Sequence, residues 1–281
     1  MYPLLSTKAA ASRVPSSAMV KGCRVGLAIL CLLATVSPGC LPEAMRYLDE
    51  GDRMLEKRDY RRAIAYYDSA LREDPKLAYA YHGRGIARHC LGDLTEALGD
   101  FDRALKFSPD DVTIYRSKID TWLDLLEYLS EREADTANAE RGLARGQFIV
   151  NRILLMSDLD KVLQLDPADD WSYNQRGILR LATGDYDGAI ADYTRAIDLN
   201  GEANWAYYNR GVAKSDAGDN DGAIEDLSMA ITLDETDGWA YFRRGIARIR
   251  AGDSELGCTD LKRAKDLENP DAEGALEEMC R

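Results

Sequence analysis

Four arginines and four aspartates are the residues in this chain whose types and spacing most resemble working chemistry. Arg84 and Asp100, Arg176 and Asp192, Arg210 and Asp226, and Arg244 and Asp260 are each sixteen residues apart. Lys118 and Asp158 form a wider version of the pair, whereas Glu50 and Tyr66 break it. A general acid or base occurs once in an enzyme, so a motif repeated along the chain argues for a structural ion pair rather than catalysis. If such a pair is buried, removing one partner strands a charge at a cost of ~3–5 kcal/mol. If it is exposed, each pair contributes little.

The remaining candidates for chemistry are few. His82 and His89 are the only histidines, and they stand seven residues apart. On a helix that places them on one side at about 10 Å separation, too far to share a metal unaided. No metal site and no cofactor is expected. Phosphate loops, nucleophile elbows and zinc-protease spacings do not occur in the sequence, and an enzyme is not expected. The formal net charge of −13 argues against nucleic acid as a partner, because phosphate recognition needs clustered Lys and Arg.

The elements that must position these residues repeat every 34 residues. Tyr207 to Glu235 (YYNRGVAKSDAGDNDGAIEDLSMAITLDE) reads as helix, Gly-Asp turn, helix. Close copies lie one period upstream and one downstream. Small residues recur at repeat positions 8, 20 and 27, with an aromatic at position 4: Tyr47, Gly51, Ala63 and Ala70 in the first copy, and Tyr81, Gly85, Ala97 and Ala104 in the second. Gly or Ala at those places lets helix backbones close up. The Gly-Asp pairs at 92–93, 184–185, 218–219 and 252–253 supply a left-handed stop and the start of the next turn.

A period of this length in this pattern resembles the tetratricopeptide repeat family across Ala44 to Asp271. The resemblance implies an all-α fold, a right-handed superhelical solenoid of about six helix-turn-helix repeats. Residues 272–281 are expected as a short capping helix, begun by Asn269-Pro270-Asp271. The third repeat departs from the pattern. It carries about 24 extra residues near 125–148 and bulky Ile119, Leu155 and Val162 at the small positions. Both of its helices are expected to be lengthened, with a polar loop near 134–142. The insert is either a functional projection or a tolerated surface excursion.

The family resemblance extends to particular residues. In such solenoids the first helix of each repeat lines a concave groove that takes an extended peptide or a helix. The positions facing it here are Tyr79, His82, Trp171, Asn174, Trp205, Tyr208, Trp239 and Phe242. Large amphipathic rings anchor recognition surfaces, but Trp205 and Trp239 serve equally well as packing between repeats. The Lys and Asn of the family's carboxylate clamp are absent: His82, Asn174, Tyr208 and Phe242 hold the one position, and Ile86, Ile178, Val212 and Ile246 the other. The C-terminal pattern is similar to the ends of some exported members, which implies a Cys258–Cys280 disulfide. Cys90 is then left over and is expected as a buried core thiol.

The first 39 residues are unlike the rest, with four cations and no acid. Val25 to Val36 is an apolar run of 12 residues behind Lys21 and Arg24, too short to span a bilayer. It reads as a secretory signal peptide. The Ser37-Pro38-Gly39-Cys40 end resembles the lipidation site of bacterial lipoproteins, which implies a lipid on Cys40 and a short tether at 40–43. The expected function is a non-enzymatic protein-interaction scaffold of the bacterial cell envelope, with other proteins and the membrane as its partners. The alternative is a soluble secreted or cytosolic adaptor without an anchor.

Overall fold

The computed structural model describes residues 42–133 and 138–280, with side chains for 42–129 and 150–280. The signal-like segment and Cys40 lie outside the described residues. Thirteen helices and no strand occur among the described residues. They are α1 (Glu43–Glu56), α2 (Tyr60–Glu73), α3 (Ala78–Leu91), α4 (Leu94–Phe107), α5 (Val112–Glu133), α6 (Asn138–Leu165), α7 (Asp170–Leu181), α8 (Tyr186–Leu199), α9 (Asn204–Asp216), α10 (Asn220–Leu233), α11 (Gly238–Arg250), α12 (Ser254–Asp266) and α13 (Ala272–Met279). Among the described residues, no helix is long and apolar enough to cross a membrane.

The helices fall into two compact units, one ending at Leu165 and the other beginning at Asp166. In the first, α1 to α6 form three hairpins, each helix packing on the one before it. In the second, α7 to α12 form three more, and α13 packs on α12. Successive first helices of the hairpins also touch, as α3 does α5 and α9 does α11.

Local chemistry sets the hairpins. Gly92, Gly184, Gly218 and Gly252 all take positive φ, between 81° and 97°, where a side chain would be strained. The following aspartate opens the second helix, and Asp185, Asp219 and Asp253 each accept a hydrogen bond from the backbone three residues on. The first repeat lacks the glycine, so Arg58 takes the left-handed turn at φ 59° and Asp59 caps α2.

Packing then follows from size. A methyl group on Gly177 would come within 2.6 Å of the Tyr193 ring, so the glycine marks where α7 and α8 close up. The aromatic filler of this space is fully buried in Tyr67, Phe101 and Tyr193. In the third repeat Leu159 holds the place of the aromatic, and it and the bulky Ile119, Leu155 and Val162 at the small positions are equally inaccessible to solvent.

The third repeat is long. Its helices run 22 and 28 residues, against 14 in α1 to α4. The expected polar loop at 134–142 is corrected at its far end, because α6 is already helical from Asn138. Residues 134–137 lie outside the described residues. Tyr128 on α5 and Val150, Ile153 and Leu154 on α6 are exposed.

Two further expectations are corrected. Cys90 is exposed rather than buried, near the end of α3, where its thiol meets the Tyr60 side chain at the start of α2. The capping helix is α13 (Ala272–Met279), but its N-cap is Asp271 rather than Asn269. Asn269 instead uses Oδ1 to accept from the Asp271 backbone in the turn before it.

Candidate functional site

The repeated arginines and aspartates meet between the two helices of each repeat. Arg84 donates through Nε and Nη2 to both carboxylate oxygens of Asp100, at 2.8 and 2.6 Å. Arg176 and Asp192, Arg210 and Asp226, and Arg244 and Asp260 repeat this forked geometry at 2.6 to 2.9 Å. The aspartates are almost wholly buried, so these are interior pairs whose bidentate geometry offsets the cost of desolvation.

The sequence reading missed three members of this arrangement. A second cation four residues after the arginine reaches the same carboxylate: Arg88 at 2.7 Å, and Arg180, Lys214 and Arg248 at 2.8 Å. The tyrosine at repeat position 4 lies under the guanidinium, with Arg84 over Tyr81 at 5.4 Å and Arg210 over Tyr207 at 5.7 Å. The remaining guanidinium nitrogen reaches back to the preceding repeat. Arg84 binds Asp68, Arg210 binds Thr194 Oγ1 at 3.1 Å, and Arg244 binds Ser228 Oγ at 3.0 Å. All of these recur at the 34-residue period, which is the signal that could have revealed them.

The third repeat keeps the arrangement with other atoms. Lys118 sits between Asp158 at 3.0 Å and Asp102 of the preceding repeat at 2.8 Å. Trp122 Nε1 donates to Asp158 at 3.1 Å, where the other repeats use a second cation. Burial opposes the Lys118 charge, but the two carboxylates outweigh it and raise its pKa. Arg84 is raised in the same way by Asp100 and Asp68 against burial. Carboxylates gripped from two or three sides hold the helices together.

The face formed by the first helices is different. His82 Nε2 lies 2.9 Å from Ser117 Oγ, and Asn209 donates to Asn174 at 2.8 Å. Both pairs link position 5 of one first helix to position 6 of the next. Asn174 is therefore buried, which corrects its placement as a groove-facing residue. Burial also pushes the His82 pKa down to about 4. Trp205 packs against Ala196, Ala203 and Ala206, and Tyr208 against the clusters around Leu227 and Ala240. Both serve mainly to join repeats. Trp171 is half-buried, and Tyr79 is 44% exposed. Trp239 and Phe242 meet edge to face with ring centres 6.0 Å apart and remain partly open to solvent.

Cys258 and Cys280 are joined by a disulfide that ties α13 to α12, with Cα atoms 5.8 Å apart. Near the other histidine, His89 pairs with Asp124 at 2.9 Å and lies 2.6 Å from Thr121 Oγ1. Burial raises the pKa of the neighbouring Asp120 to about 6. Among the described residues no group of three or more His, Cys, Asp and Glu could hold a metal.

Comparison with known proteins agrees with this architecture. Residues 51–118 and 174–238 each match a tetratricopeptide repeat family model. The human protein "Tetratricopeptide repeat protein 4" is 35% identical over 71 residues, which are 24% of this chain and 18% of that protein. The chain thus spans less than a fifth of that relative's length. Among solved structures, YrrB, described as a TPR protein with an unusual peptide-binding site, aligns with a TM-score of 0.58 at 21% identity, covering 71% of this chain and 90% of its own. The Cut9–Hcn1 hetero-tetramer of the APC/C aligns at 0.56 and 17% identity, covering 94% of this chain and 48% of that one. Identities this low establish a shared fold.

Proposed function

Because the chain is a tetratricopeptide repeat protein, and such proteins are protein-interaction scaffolds, we propose that it is a non-enzymatic scaffold or adaptor that holds other proteins on the face of its first helices. The observation that carries this reading is a division of labour. The charged residues between the helices are used up in holding the repeats, whereas Trp239 and Phe242 keep part of their rings free on the first-helix face. Half-exposed rings of this kind anchor partners at modest entropic cost.

We extend the proposal to location. The scaffold works in a bacterial cell envelope, lipid-anchored through Cys40 after removal of residues 1–39. The basic, apolar start of the chain and its Cys40 support this. So does the Cys258–Cys280 disulfide, which persists in oxidising compartments. Crosslinking in cells followed by capture, comparing the native chain with Trp239→Ala/Phe242→Ala, tests the scaffold. Partners are expected with the native chain and lost with the variant; an unchanged partner set would refute the reading. Palmitate labelling with mass spectrometry of the mature N-terminus tests the anchor. An unlabelled chain that begins elsewhere than Cys40 rules it out.

A further inference from the structure

Arg243 stands apart from the other half-buried arginines of the second unit. Arg176, Arg180, Arg210, Arg244 and Arg248 each reach a carboxylate. Arg243 is half-buried, its Nε is shut off from solvent, and it has no hydrogen bond or ion pair among the described residues. Burying part of a guanidinium without an acceptor is costly. It sits at position 6 of α11, the place that Asn209 and Ser117 hold on their own first helices, on the face where position 5 of one repeat meets position 6 of the next. Phe242 precedes it, and Trp239 lies one helical turn away, edge-on to Phe242.

We infer that Arg243, with Trp239 and Phe242, forms a binding site for a protein segment that carries one acidic side chain beside an aromatic or large aliphatic one. The inference rests on the scaffold reading and names its ligand. A planar guanidinium matches a carboxylate bidentately, and the adjoining rings take the apolar neighbour. The ligand group is a side-chain carboxylate rather than a chain terminus. A terminal carboxylate needs several donors around it, and here Asn209, at the same position of the preceding first helix, is already bonded to Asn174, while Val212 and Ile246 are apolar. A single acid fits better than an acidic tract, because the chain as a whole carries a net charge of −13 and repels long runs of acids.

The test selects from two pools of random short peptides on the immobilised, disulfide-bonded protein. One pool is acetylated and amidated at its ends, and the other carries a free C-terminal carboxylate. Binding of the selected peptides is then measured by fluorescence anisotropy. The capped pool is expected to yield sequences with one Asp or Glu next to Phe, Trp or Leu. Arg243→Gln should weaken them at least about tenfold, as expected for loss of a charged hydrogen-bonded pair, and Arg243→Lys should recover part of the loss. Circular dichroism and melting establish that each variant is folded; Arg243→Lys keeps the comparison open if Arg243→Gln is not. Selected peptides that lack an acid, that bind Arg243→Gln unchanged, or that come only from the uncapped pool overturn the inference and leave the scaffold reading standing. No enrichment from either pool overturns both.

Discussion

Lys118 and Asp158 stand 3.0 Å apart across a gap of forty residues, and so reproduce the link that Arg84 and Asp100 make across sixteen. The insertion in the third repeat lengthens α5 and α6 without breaking the ion pair that joins them. Truncating one partner strands the other inside the protein. Asp158→Ala is therefore expected to cost ~3–5 kcal/mol in urea unfolding, whereas Lys118→Met combined with Asp158→Leu should be milder than Asp158→Ala alone. A double variant as unstable as the sum of its singles would show that the pair is not coupled.

Arg210 and Asp226 supply the same test in a regular repeat. Each single alanine substitution removes a two-pronged contact at 2.7 to 2.8 Å. Asp226→Ala should be the worse of the two, since it strands both Arg210 and Lys214. A double-mutant cycle is expected to give a coupling of about 1 kcal/mol or more.

Two buried tyrosines should respond oppositely to loss of their hydroxyl. Tyr67 donates to Asp52 at 2.8 Å, while the Tyr193 hydroxyl is buried with no partner among the described residues. The place of Asp52 in the repeat is held by Ile178 in the repeat of Tyr193. Tyr67→Phe should destabilise by ~1 kcal/mol, because it leaves Asp52 without its donor. Tyr193→Phe should be neutral or stabilising by a similar amount. Melting temperatures of the two variants, measured side by side, check the contrast.

The acid response contains two opposing contributions. His82 has a folded pKa of about 4 against an ordinary 6.5, so the unfolded chain binds the proton more readily. Its contribution is present above pH 6.5 and is lost as pH falls toward 4, amounting to ~3 kcal/mol. Asp120 has a folded pKa of about 6 against 3.8, so the folded chain takes up the proton first and gains stability as pH falls through 6 toward 4. Asp120→Asn removes that compensation. Its unfolding free energy should fall more steeply than the native protein's between pH 6 and 4. Parallel curves would refute the assignment.

The disulfide closes a separation of 22 residues. In the chain-entropy model this stabilises by ~3 kcal/mol. Reduction, or Cys258→Ser with Cys280→Ser, should lower the melting temperature and speed amide exchange in α13 first, because that helix packs on α12 alone among the pairs in extensive contact. Equal exchange in α13 with and without reductant would count against this role.

The sequence displays the helices and their turns because each signal is repeated: Gly218-Asp219 is legible since Gly184-Asp185 and Gly252-Asp253 say the same thing. The pairing of arginine with aspartate is legible for the same reason. What is not legible depends on the neighbour across a helix interface. Asn174 faces solvent on a helix considered alone, and only Asn209, one period and one residue further on, buries it. Trp122 gives no sign of replacing a second cation until α6 brings Asp158 beside it. Arg243 looks like one more surface cation until its acceptors are counted.

The backward reach of Arg84, Lys118, Arg210 and Arg244 has a consequence for how the array ends. Each needs an acceptor on the repeat before it, and Asp68, Asp102, Thr194 and Ser228 provide one. One period beyond Ser228 the chain places Lys262, exposed on α12. A further repeat of the regular kind would bring a guanidinium against a like charge there. The motif that bolts each repeat to its predecessor thus finds no acceptor at this place on α12, and α13, which packs on α12, carries no arginine that would need one.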